Sequence, residues 1–383
     1  MRHSIVILGP AYPYRGGIAQ YTTLLYRELK KNHEVSFFSF SRQYPSFLYP
    51  GSTDKDPSSS PLGESDVIHY TIDSMNPITW LATARSIIRI HPELVIIPWW
   101  VAFWTPQIFT IASLIRLRTK AKILFICHNV VEHESSMVTR FCTKLVLKKG
   151  HFFMVHSGED ERNLYAIIPG ARVTRHHLPV NTLLTQRYPA LNKDEAKNRV
   201  SLSGKKVMLF FGFVRQYKGL DCLLRSLPAV IAKIPDAQLL IVGEFWKDKA
   251  QYDDIIYQLN INQNVTIIDR YISDEEIPLY FCAADVVVAP YRTATGSAVV
   301  PVAYGYGRPV VVTAVGSLPE IVEHGKTGLV IPPDNEKALA DALVTVFTDS
   351  LYEKLAGNVA TGKTRLSWDA MVEAIERFAD EPH

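Results

Sequence analysis

Residues 289–333 read APYRTATGSAVVPVAYGYGRPVVVTAVGSLPEIVEHGKTGLVIPP. The segment begins at the end of an apolar strand and continues through a turn of small residues, a helix and a second strand. A second turn then ends at a Leu-Pro-Glu helix start. This order is typical of the nucleotide-binding half of a doubly wound α/β domain, in which ligands bind at the carboxyl ends of the strands.

The same alternation of short apolar runs and helical segments extends along the whole chain and predicts a mostly parallel sheet in each half. The predicted strands of the first half are Ser4–Leu8, Glu34–Ser39, Val67–Tyr70, Leu94–Trp99, Lys122–His128 and Phe152–His156. Those of the second half are Val207–Phe211, Leu239–Val242, Val265–Ile268, Val286–Ala289, Pro309–Val312 and Gly328–Ile331. Helices are expected between them, for example at Phe141–Lys149.

The length and composition are those of a globular protein with two domains. The chain has 383 residues, of which 47% are hydrophobic and 21% charged, and both fractions are typical of soluble proteins. The net charge of +3 gives no indication of nucleic-acid binding. The four cysteines are scattered without a CxxC pair, which predicts reduced thiols in a cytoplasmic protein. Ser4–Gly9 is too short an apolar run for a secretory signal.

One segment, Leu94–Ile115, is uncharged over about 22 residues and therefore reaches the length of a membrane span. Pro98 and Pro106 interrupt it, and a Thr-Pro pair is a normal helix start. The sequence therefore favours a buried strand followed by a helix. Its aromatic residues leave open a lipid-facing or acceptor-facing surface; they are Trp99, Trp100, Phe103 and Trp104.

Two loops have the composition of an anion site. Arg215 and Lys218 follow the predicted strand Val207–Phe211, where a doubly wound sheet binds ligands. Arg offers a planar fork for phosphate and Lys a compact charge, although loop cations are often only solvated. Gly16-Gly17 precedes a helix whose free amides could receive a diphosphate, or the pair forms a tight turn. The spacing is not GxGxxG, which argues against a dinucleotide oxidoreductase.

Three further features could carry chemistry. A turn of small residues precedes the helix at Val299–Tyr306, and its exposed amides could receive a phosphate or a sugar. Glu320 begins a later helix, where a carboxylate also complements the helix dipole. His128 ends a predicted strand and would face the cleft between the domains, although a single histidine of this kind is often structural. The spacing of acidic residues and histidines predicts no metal site.

Residues 210–221, FFGFVRQYKGLD, and residues 289–333 closely resemble the donor-binding signature of family 4 glycosyltransferases of the GT-B fold. The resemblance extends over nearly the whole chain and is strongest from Phe210 to Pro333. It implies two Rossmann-like domains facing a central cleft: an acceptor-side domain of residues 1–184 and a donor-binding domain of residues 185–365. A C-terminal helix within residues 366–383 would cross back to the first domain. No metal or other cofactor is expected, because cations and helix amides offset the charge of the leaving diphosphate.

The resemblance also implies roles for individual residues. Arg215 and Lys218 would hold the donor diphosphate together with Gly16 and Gly17, and His128 would approach the donor sugar as the catalytic residue. The family usually has Glu at the positions of Thr295 and Ala303, and neither carboxylate is present here, so ribose and sugar recognition must differ. The residues expected to contact the donor sugar or nucleotide are Gly243, Glu244, Thr295, Gly296, Ser297, Ala298 and Glu320.

The implied activity is retaining transfer of a sugar from a nucleoside-diphosphate sugar to a glycan or a lipid-linked saccharide, as in polysaccharide biosynthesis. A sugar-nucleotide epimerase on the same fold and a non-catalytic nucleotide-binding relative are alternatives. The expected partners are a nucleotide sugar and the acceptor, without nucleic acid. A cluster of cations could dock at the inner face of the membrane or form a solvated helix end; its members are Arg116, Arg118, Lys120 and Lys122.

Overall fold

The computed structural model of the chain describes residues 2–45, 54–59, 66–131, 136–180, 182–246, 249–348 and 351–381. Much of the predicted loop Arg42–Ser65 therefore lies outside the described residues. The chain divides into two compact units: unit 1 consists of Met1–His177 with Trp368–His383, and unit 2 of Leu178–Ser367. The domain limits predicted from the sequence, after residues 184 and 365, stay a prediction.

Within the described ranges, each unit contains one parallel sheet. The strand order is β3-β2-β1-β4-β5-β6-β7 in unit 1 and β10-β9-β8-β11-β12-β13 in unit 2, which confirms the predicted pair of doubly wound sheets. The strands of unit 1 are β1 (Ser4–Leu8), β2 (Glu34–Arg42), β3 (Ile68–Asp73), β4 (Leu94–Trp99), β5 (Lys122–Cys127), β6 (Phe152–Val155) and β7 (Val173–Arg175). Those of unit 2 are β8 (Lys206–Phe211), β9 (Ala237–Val242), β10 (Val265–Ile268), β11 (Val286–Ala289), β12 (Val310–Thr313) and β13 (Gly328–Ile331).

Strands form where the sequence is continuously apolar, because a parallel sheet covered by helices buries both of its faces. Every residue of β4, β5 and β9 is buried. The predicted bounds of β10, β11 and β13 agree with the observed ones. β2 and β3 extend beyond their predicted ends, and the added residues mix buried apolar side chains, Phe40 and Ile72, with exposed polar ones.

Helices connect the strands, and capping side chains decide where several of them begin. The oxygen of Ser136 accepts a hydrogen bond from Thr139 N at 3.2 Å and completes a capping box, so α4 begins at Met137. The predicted start at Phe141 is wrong because it follows the apolar pattern alone. The helices are α1 (Gly17–Lys30), α2 (Pro77–Ile90), α3 (Thr105–Arg118), α4 (Met137–Leu147), α5 (Gly158–Ile167), α6 (Thr182–Arg187), α7 (Lys193–Arg199), α8 (Leu220–Lys233), α9 (Lys249–Gln258), α10 (Ile277–Ala283), α11 (Val299–Gly305), α12 (Leu318–Ile321), α13 (Glu336–Thr348), α14 (Leu351–Arg365) and α15 (Trp368–Asp380).

The polar stretch between the two halves contains α6 and α7, which the apolar pattern does not predict. α7 is held by charge. Lys197 Nζ donates to Asp285 Oδ2 at 2.8 Å, and Lys193 pairs with the same carboxylate. Asp285 is 4% exposed and also accepts a hydrogen bond from Val207 N at 2.7 Å. The buried carboxylate therefore attaches α7 to the start of β8 through charge-assisted hydrogen bonds.

The uncharged segment Leu94–Ile115 forms β4 and most of α3, which confirms the strand-and-helix interpretation. Across the described ranges, every helix falls short of the length and apolarity needed to cross a bilayer. Trp99 and Trp104 are each 1% exposed in the core of unit 1, and Trp100 and Phe103 pack against that core. Trp99 and Trp104 therefore cannot form the lipid-facing or acceptor-facing surface considered above, because they fill the space beside the sheet. Trp100 and Phe103 are partly exposed, and for them that interpretation stays a prediction.

The last helix, α15, belongs to unit 1, as the sequence comparison implies. Its Phe378 ring stacks on Phe152 with ring centroids 4.8 Å apart, and Tyr21 Oη donates to Met371 Sδ at 2.9 Å. Lys122 Nζ donates to the backbone carbonyl of Ala379 at 2.6 Å. A cation at this end of the helix binds its last carbonyls and complements its dipole.

The packing of α15 leads to a stability prediction. Ile375 is fully buried in unit 1, and Ile375→Ala is expected to lower the free energy of unfolding by about 2–5 kcal/mol because it leaves a cavity. Glu373 lies on the exposed face of the same helix, so Glu373→Ala is the matched control, with an expected change within about 0.5 kcal/mol. Urea unfolding followed by tryptophan fluorescence measures both. Equal effects would show that α15 is not packed as described.

Candidate functional site

The predicted donor-site residues of unit 2 all follow carboxyl ends of its parallel strands. β8 lies between β9 and β11, so the connections from β8 and β11 leave in opposite directions along the sheet. Such a reversal of strand order opens a crevice at the carboxyl edge, where ligands bind in open α/β sheets. Arg215 and Lys218 follow β8, and residues 295–298 follow β11. The two loops therefore lie at the two sides of the reversal point.

Glycines allow the backbone segments at this edge to approach closely. Gly243 has φ 143°, and a Cβ atom there would collide with the backbone carbonyl of Gly212. Gly219 has φ 68°, and its Cβ would collide with the carbonyl of Pro290. These are conformations that residues with a side chain rarely adopt. The loops after β8, β9 and β11 can therefore pack together only with glycine at these positions.

Two cations occupy the loop after β8. The guanidinium carbon of Arg215 lies 3.5 Å from the ring centroid of Trp246, in a cation–π contact. Lys218 ends the 3-10 turn Gln216–Lys218, and its Nζ lies 5.7 Å from the ring centroid of Tyr291. The same Nζ is 3.0 Å from the place that a Cβ on Gly212 would take. The lysine therefore lies across the end of β8, and glycine at position 212 leaves the space for it.

Lys218 is in an unfavourable environment for a charge. Within the described residues, no carboxylate forms an ion pair with its ammonium group. Burial, and next the neighbouring charge of Arg215, lower the pKa of Lys218 from 10.5 to about 8. Both causes disfavour the protonated form. A bound anion would reverse the second effect, because its negative charge favours the protonated form.

A partly buried ion pair between Arg292 and Asp221 connects the loops on both sides of the reversal point. Arg292 follows β11, and its Nη1 and Nη2 donate to the two carboxylate oxygens of Asp221 in α8 at 2.8 and 2.7 Å. Arg292 Nη1 also donates to the carbonyl of Gln216 at 2.8 Å. Bidentate pairs of this kind fix geometry as well as adding energy. The contacts of Arg292 and Trp246 cannot be predicted from local sequence, because they depend on partners distant in the chain.

Several polar groups in the turn after β11 form hydrogen bonds within the protein. Ser297 Oγ accepts a hydrogen bond from Val299 N at 3.2 Å and lies 3.4 Å from Tyr291 Oη. The carbonyl of Thr295 accepts a hydrogen bond from Ser317 N at 3.2 Å. Gly296 is half-buried and Ala298 is exposed. One of the amides expected to face a ligand is therefore already satisfied by Ser297.

The remaining predicted residues of unit 2 lie at the same edge. Gly243 and Glu244 follow β9, and the carbonyl of Glu244 accepts a hydrogen bond from Val214 N at 3.0 Å. Glu320 is half-buried in α12, which follows β12. Ala303 is fully buried in α11 and packs in the core of unit 2. A carboxylate at position 303 would need a polar partner in that core.

Gly16, Gly17 and His128 lie in unit 1, apart from the donor-site residues of unit 2. Gly16 has φ 111° and precedes α1, whose first turn contains no acidic side chain. A Cβ at Gly17 would meet nothing within 4 Å. Gly16 therefore has the positive φ that favours glycine, the space around Gly17 is open, and the contact of this pair with a diphosphate stays a prediction.

His128 directly follows β5 and belongs to a cluster of aromatic rings. Its ring centroid lies 4.9 Å from that of His156 and 4.7 Å from that of Tyr21. Burial, and next the charge of His156, hold the pKa of His128 well below its usual value. His156 Nδ1 donates to the carbonyl of His176 at 2.7 Å, and burial lowers the pKa of His156 to about 4. Both rings are therefore neutral near pH 7 and act as hydrogen-bonding groups, not as cations.

Metal ligands do not cluster in the part of the chain that the structure describes: it brings no three His, Cys, Asp or Glu side chains into a possible metal site.

Solved structures of the GT-B class share this two-unit fold. Sucrose-phosphate synthase from Thermosynechococcus elongatus superposes with a TM-score of 0.70 at 19% identity, over 98% of both chains. Anabaena HepE in complex with UDP and glucose superposes with a TM-score of 0.73 at 15% identity, over 98% of this chain and 99% of that chain. At these identities the likeness shows the fold alone. The fold is GT-B.

Residues 205–349 match the family model described as glycosyl transferases group 1. The lipopolysaccharide core biosynthesis mannosyltransferase LpsB of Rhizobium meliloti is 32% identical over 229 residues, which are 55% of this chain and 63% of that protein. The matched part of the chain spans only about half the length of such curated relatives, from 42% to 63%. Residues 205–349 are therefore similar to glycosyl transferases group 1, within a chain of the GT-B fold, and family 4 stays a prediction.

The close approach of Gly219 to the Pro290 carbonyl leads to a stability prediction, for which Gly307 is the control. Gly219→Ala is expected to lower the free energy of unfolding by several kcal/mol, because its Cβ would collide with the Pro290 carbonyl. Gly307 has nearly the same φ, 69°, but a Cβ there would meet nothing within 4 Å. Gly307→Ala should therefore cost only about 1–2 kcal/mol. Thermal unfolding compares the two, and equal losses would argue against the described contact.

Proposed function

We propose that this protein is a retaining, metal-independent glycosyltransferase of family 4 that uses a nucleoside-diphosphate sugar as donor. The observation that carries the proposal is the pair of cations after β8, Arg215 and Lys218, at the reversal point of the unit 2 sheet. Both lie inside the region that matches the group 1 family, residues 205–349. Their charges and position suit the diphosphate of a nucleotide sugar.

The energetics favour an anionic ligand at Lys218. Its ammonium is half-buried and lies beside a second cation, and the pKa of Lys218 falls to about 8 because of that environment. A diphosphate supplies negative charge to both cations at once. The repulsion between Lys218 and Arg215 in the free protein is then replaced by attraction of both cations to the diphosphate. The loop that Arg292 holds would not need to move.

The same cations would act on the chemical step. In transfer, the bond between the anomeric carbon and the diphosphate oxygen breaks, and its electron pair leaves with the diphosphate. The acceptor hydroxyl forms the new bond to the anomeric carbon, and its proton passes to the oxygen of the departing diphosphate. Arg215 and Lys218 would stabilise the negative charge that grows on the leaving group, which is usually a large contribution to catalysis.

His128 would serve this reaction as a neutral ring. A protonated histidine would repel the positive charge that develops on the donor sugar, whereas the lowered pKa of His128 keeps its ring uncharged. In the described residues, the buried Nε2 atom of His128 has no hydrogen-bond partner. A sugar hydroxyl is a suitable partner, because a buried polar atom is costly when it stays unsatisfied.

Recognition of the nucleoside and sugar would depend on hydroxyl and backbone groups. Ala303 is buried in the core and provides no carboxylate for the ribose. We propose that Gly243, Glu244, Thr295, Gly296 and Ala298 contact the donor beyond its diphosphate, with Glu320 nearby. Ser297 would support this contact by holding the turn through Val299 N.

The relatives suggest the chemical class of both substrates. HepE has been crystallised with UDP and glucose and with UDP-glucose, and LpsB is named as a mannosyltransferase of lipopolysaccharide core biosynthesis. We propose a nucleotide hexose as donor and a glycan or lipid-linked saccharide as acceptor for this chain.

A double substitution tests the phosphate site. Arg215→Ala with Lys218→Ala is expected to weaken binding of whichever of UDP, GDP or ADP the protein prefers by about a hundredfold, since two charge-assisted contacts are lost. The release of that nucleotide from its sugar conjugate should slow by a similar factor. Isothermal titration calorimetry and a nucleotide-release assay measure the two effects.

The matched control for this pair is Lys233→Ala with Lys337→Ala, which removes two exposed cations of unit 2 away from the reversal point. The control should bind the nucleotide as the parent protein does. Unchanged affinity in the Arg215 and Lys218 double variant would disprove the assignment of the diphosphate site.

A pH dependence follows from Lys218. Its pKa of about 8 means that the free protein loses this charge as the pH rises through 8, about two units below an ordinary lysine. Since the diphosphate binds the protonated form, affinity should be nearly constant just above pH 7 and fall by up to about tenfold per pH unit above 8. Calorimetric titrations across this range measure the profile. Lys218→Ala should abolish the decline, and an identical decline in that variant would exclude Lys218 as its source.

A further inference from the structure

A second surface of the molecule carries an inference that is independent of the proposed transfer reaction. Three apolar side chains in the first turns of α4 point to solvent: Met137 is 88% exposed, Val138 70% and Phe141 66%. The opposite face of the helix, including Val146 and Leu147, is fully buried. α4 therefore has an apolar patch on the side that does not face the core, which is unusual for large side chains in one helix.

Cations continue the same face of α4. With 3.6 residues per turn, positions 137, 141, 144 and 148 form one row along a helix. Lys144 and Lys148 therefore follow Met137 and Phe141 in that row, and both lysines are exposed. Arg140 is exposed at the flank of the row. The outer face of α4 is thus apolar at its start and cationic towards its end.

The carboxyl end of α3 adds to this surface. Arg116 Nη1 donates to the backbone carbonyl of Lys148 at 3.0 Å, which joins the ends of α3 and α4. Arg116, Arg118 and Lys120 are exposed, and Leu117 between them is 73% exposed. The cationic part of the surface therefore extends over two helices and contains another exposed apolar residue.

The charge of this region is mostly positive. Residues 94–131 and 136–158 contain eight Lys or Arg residues and no Asp or Glu. Glu132 and Glu134 fall between them, at positions outside the described residues. The whole chain has 41 basic and 38 acidic residues, so the residues outside these two ranges are more often acidic than basic. The positive charge is therefore concentrated where the exposed apolar residues lie.

We propose that α4 and the end of α3 form a docking surface for an anionic lipid bilayer, made of Met137, Val138, Arg140, Phe141, Lys144 and Lys148 of α4 with residues 116–120. Apolar side chains inserted between headgroups and cations bound to lipid phosphates are the two contributions that hold a peripheral helix in the interface. The excess of positive charge favours a bilayer over a second copy of the chain, whose identical surface would be repelled.

This surface differs from the one suggested by the sequence. Of the cations named there, Lys122 is buried and binds the carbonyls at the end of α15. Trp99 and Trp104 are in the core. The apolar contribution comes from α4, which follows β5 and therefore begins at the carboxyl edge of the unit 1 sheet. Its apolar first turns lie at that edge, and its cations extend towards the opposite edge.

Vesicle flotation of the full chain tests the proposal. The protein should float with vesicles of mixed phosphatidylcholine and phosphatidylglycerol and stay in the soluble fraction with phosphatidylcholine alone. High salt should reduce binding, since surface charge is screened. The variant with Arg140→Gln, Lys144→Gln and Lys148→Gln should bind on the order of a hundredfold more weakly, about fivefold for each cation lost. Met137→Gln with Phe141→Gln should weaken binding by about tenfold or more.

Two control variants match these changes in charge and in exposed apolar surface. The first carries Lys233→Gln, Lys337→Gln and Lys354→Gln, all at exposed lysines of unit 2. The second carries Ile78→Gln and Tyr257→Gln, at side chains that are 74% and 78% exposed in α2 and α9. Both controls should float as the parent protein does, and circular dichroism should show that every variant is folded.

Three outcomes would overturn the proposal. One is absence of binding to the anionic vesicles. Another is equal binding by the α4 variants and their controls. The third is a concentration-dependent dimer in analytical ultracentrifugation that the Met137 and Phe141 variant abolishes, without vesicle binding, because the surface would then join two copies of the chain.

Discussion

The candidate site depends on close backbone packing at one point, where the strand order of the unit 2 sheet reverses. Gly243 lies against the carbonyl of Gly212, and Gly219 against the carbonyl of Pro290. Because these contacts leave no room for a Cβ atom, the loops after β8, β9 and β11 converge into one small region. The positions of Arg215 and Lys218 follow from this convergence. Without it, two cations in a surface loop would point into solvent.

The two neighbouring cations Arg215 and Lys218 destabilise each other in the free protein, and an anionic ligand can offset this cost. Lys218 is partly desolvated next to Arg215, so its pKa falls to about 8. The bidentate pair of Arg292 with Asp221 holds the neighbouring loops and leaves Lys218 outside that ion pair. Preorganised cations that need no rearrangement on binding are what stabilisation of a leaving diphosphate requires. In unit 1, burial holds the pKa of His128 well below its usual value, so that ring is neutral near pH 7.

The elements that could be predicted correctly from the sequence are those set by local patterns. β10, β11 and β13 were predicted correctly because a strand buried on both faces is a short apolar run with clear ends. α7 was missed because its polar residues are held by Asp285, which is distant in the sequence. The start of α4 was misplaced because Ser136, and not an apolar residue, sets it. The residues Arg215 and Lys218 could be selected from their loop alone, whereas Trp246 and Arg292 could not.

The sequence by itself determined every described strand except β7, the division into two α/β halves and the loop that carries Arg215 and Lys218. These properties depend on residues close together in the chain, where hydrophobic periodicity and turn residues are sufficient. Only the tertiary structure decided which side chains are buried and which face solvent. It placed Trp99 and Trp104 in the core and exposed Met137, Val138 and Phe141 on α4. The physical reason is that burial depends on contacts between segments far apart in sequence, which a local pattern does not contain.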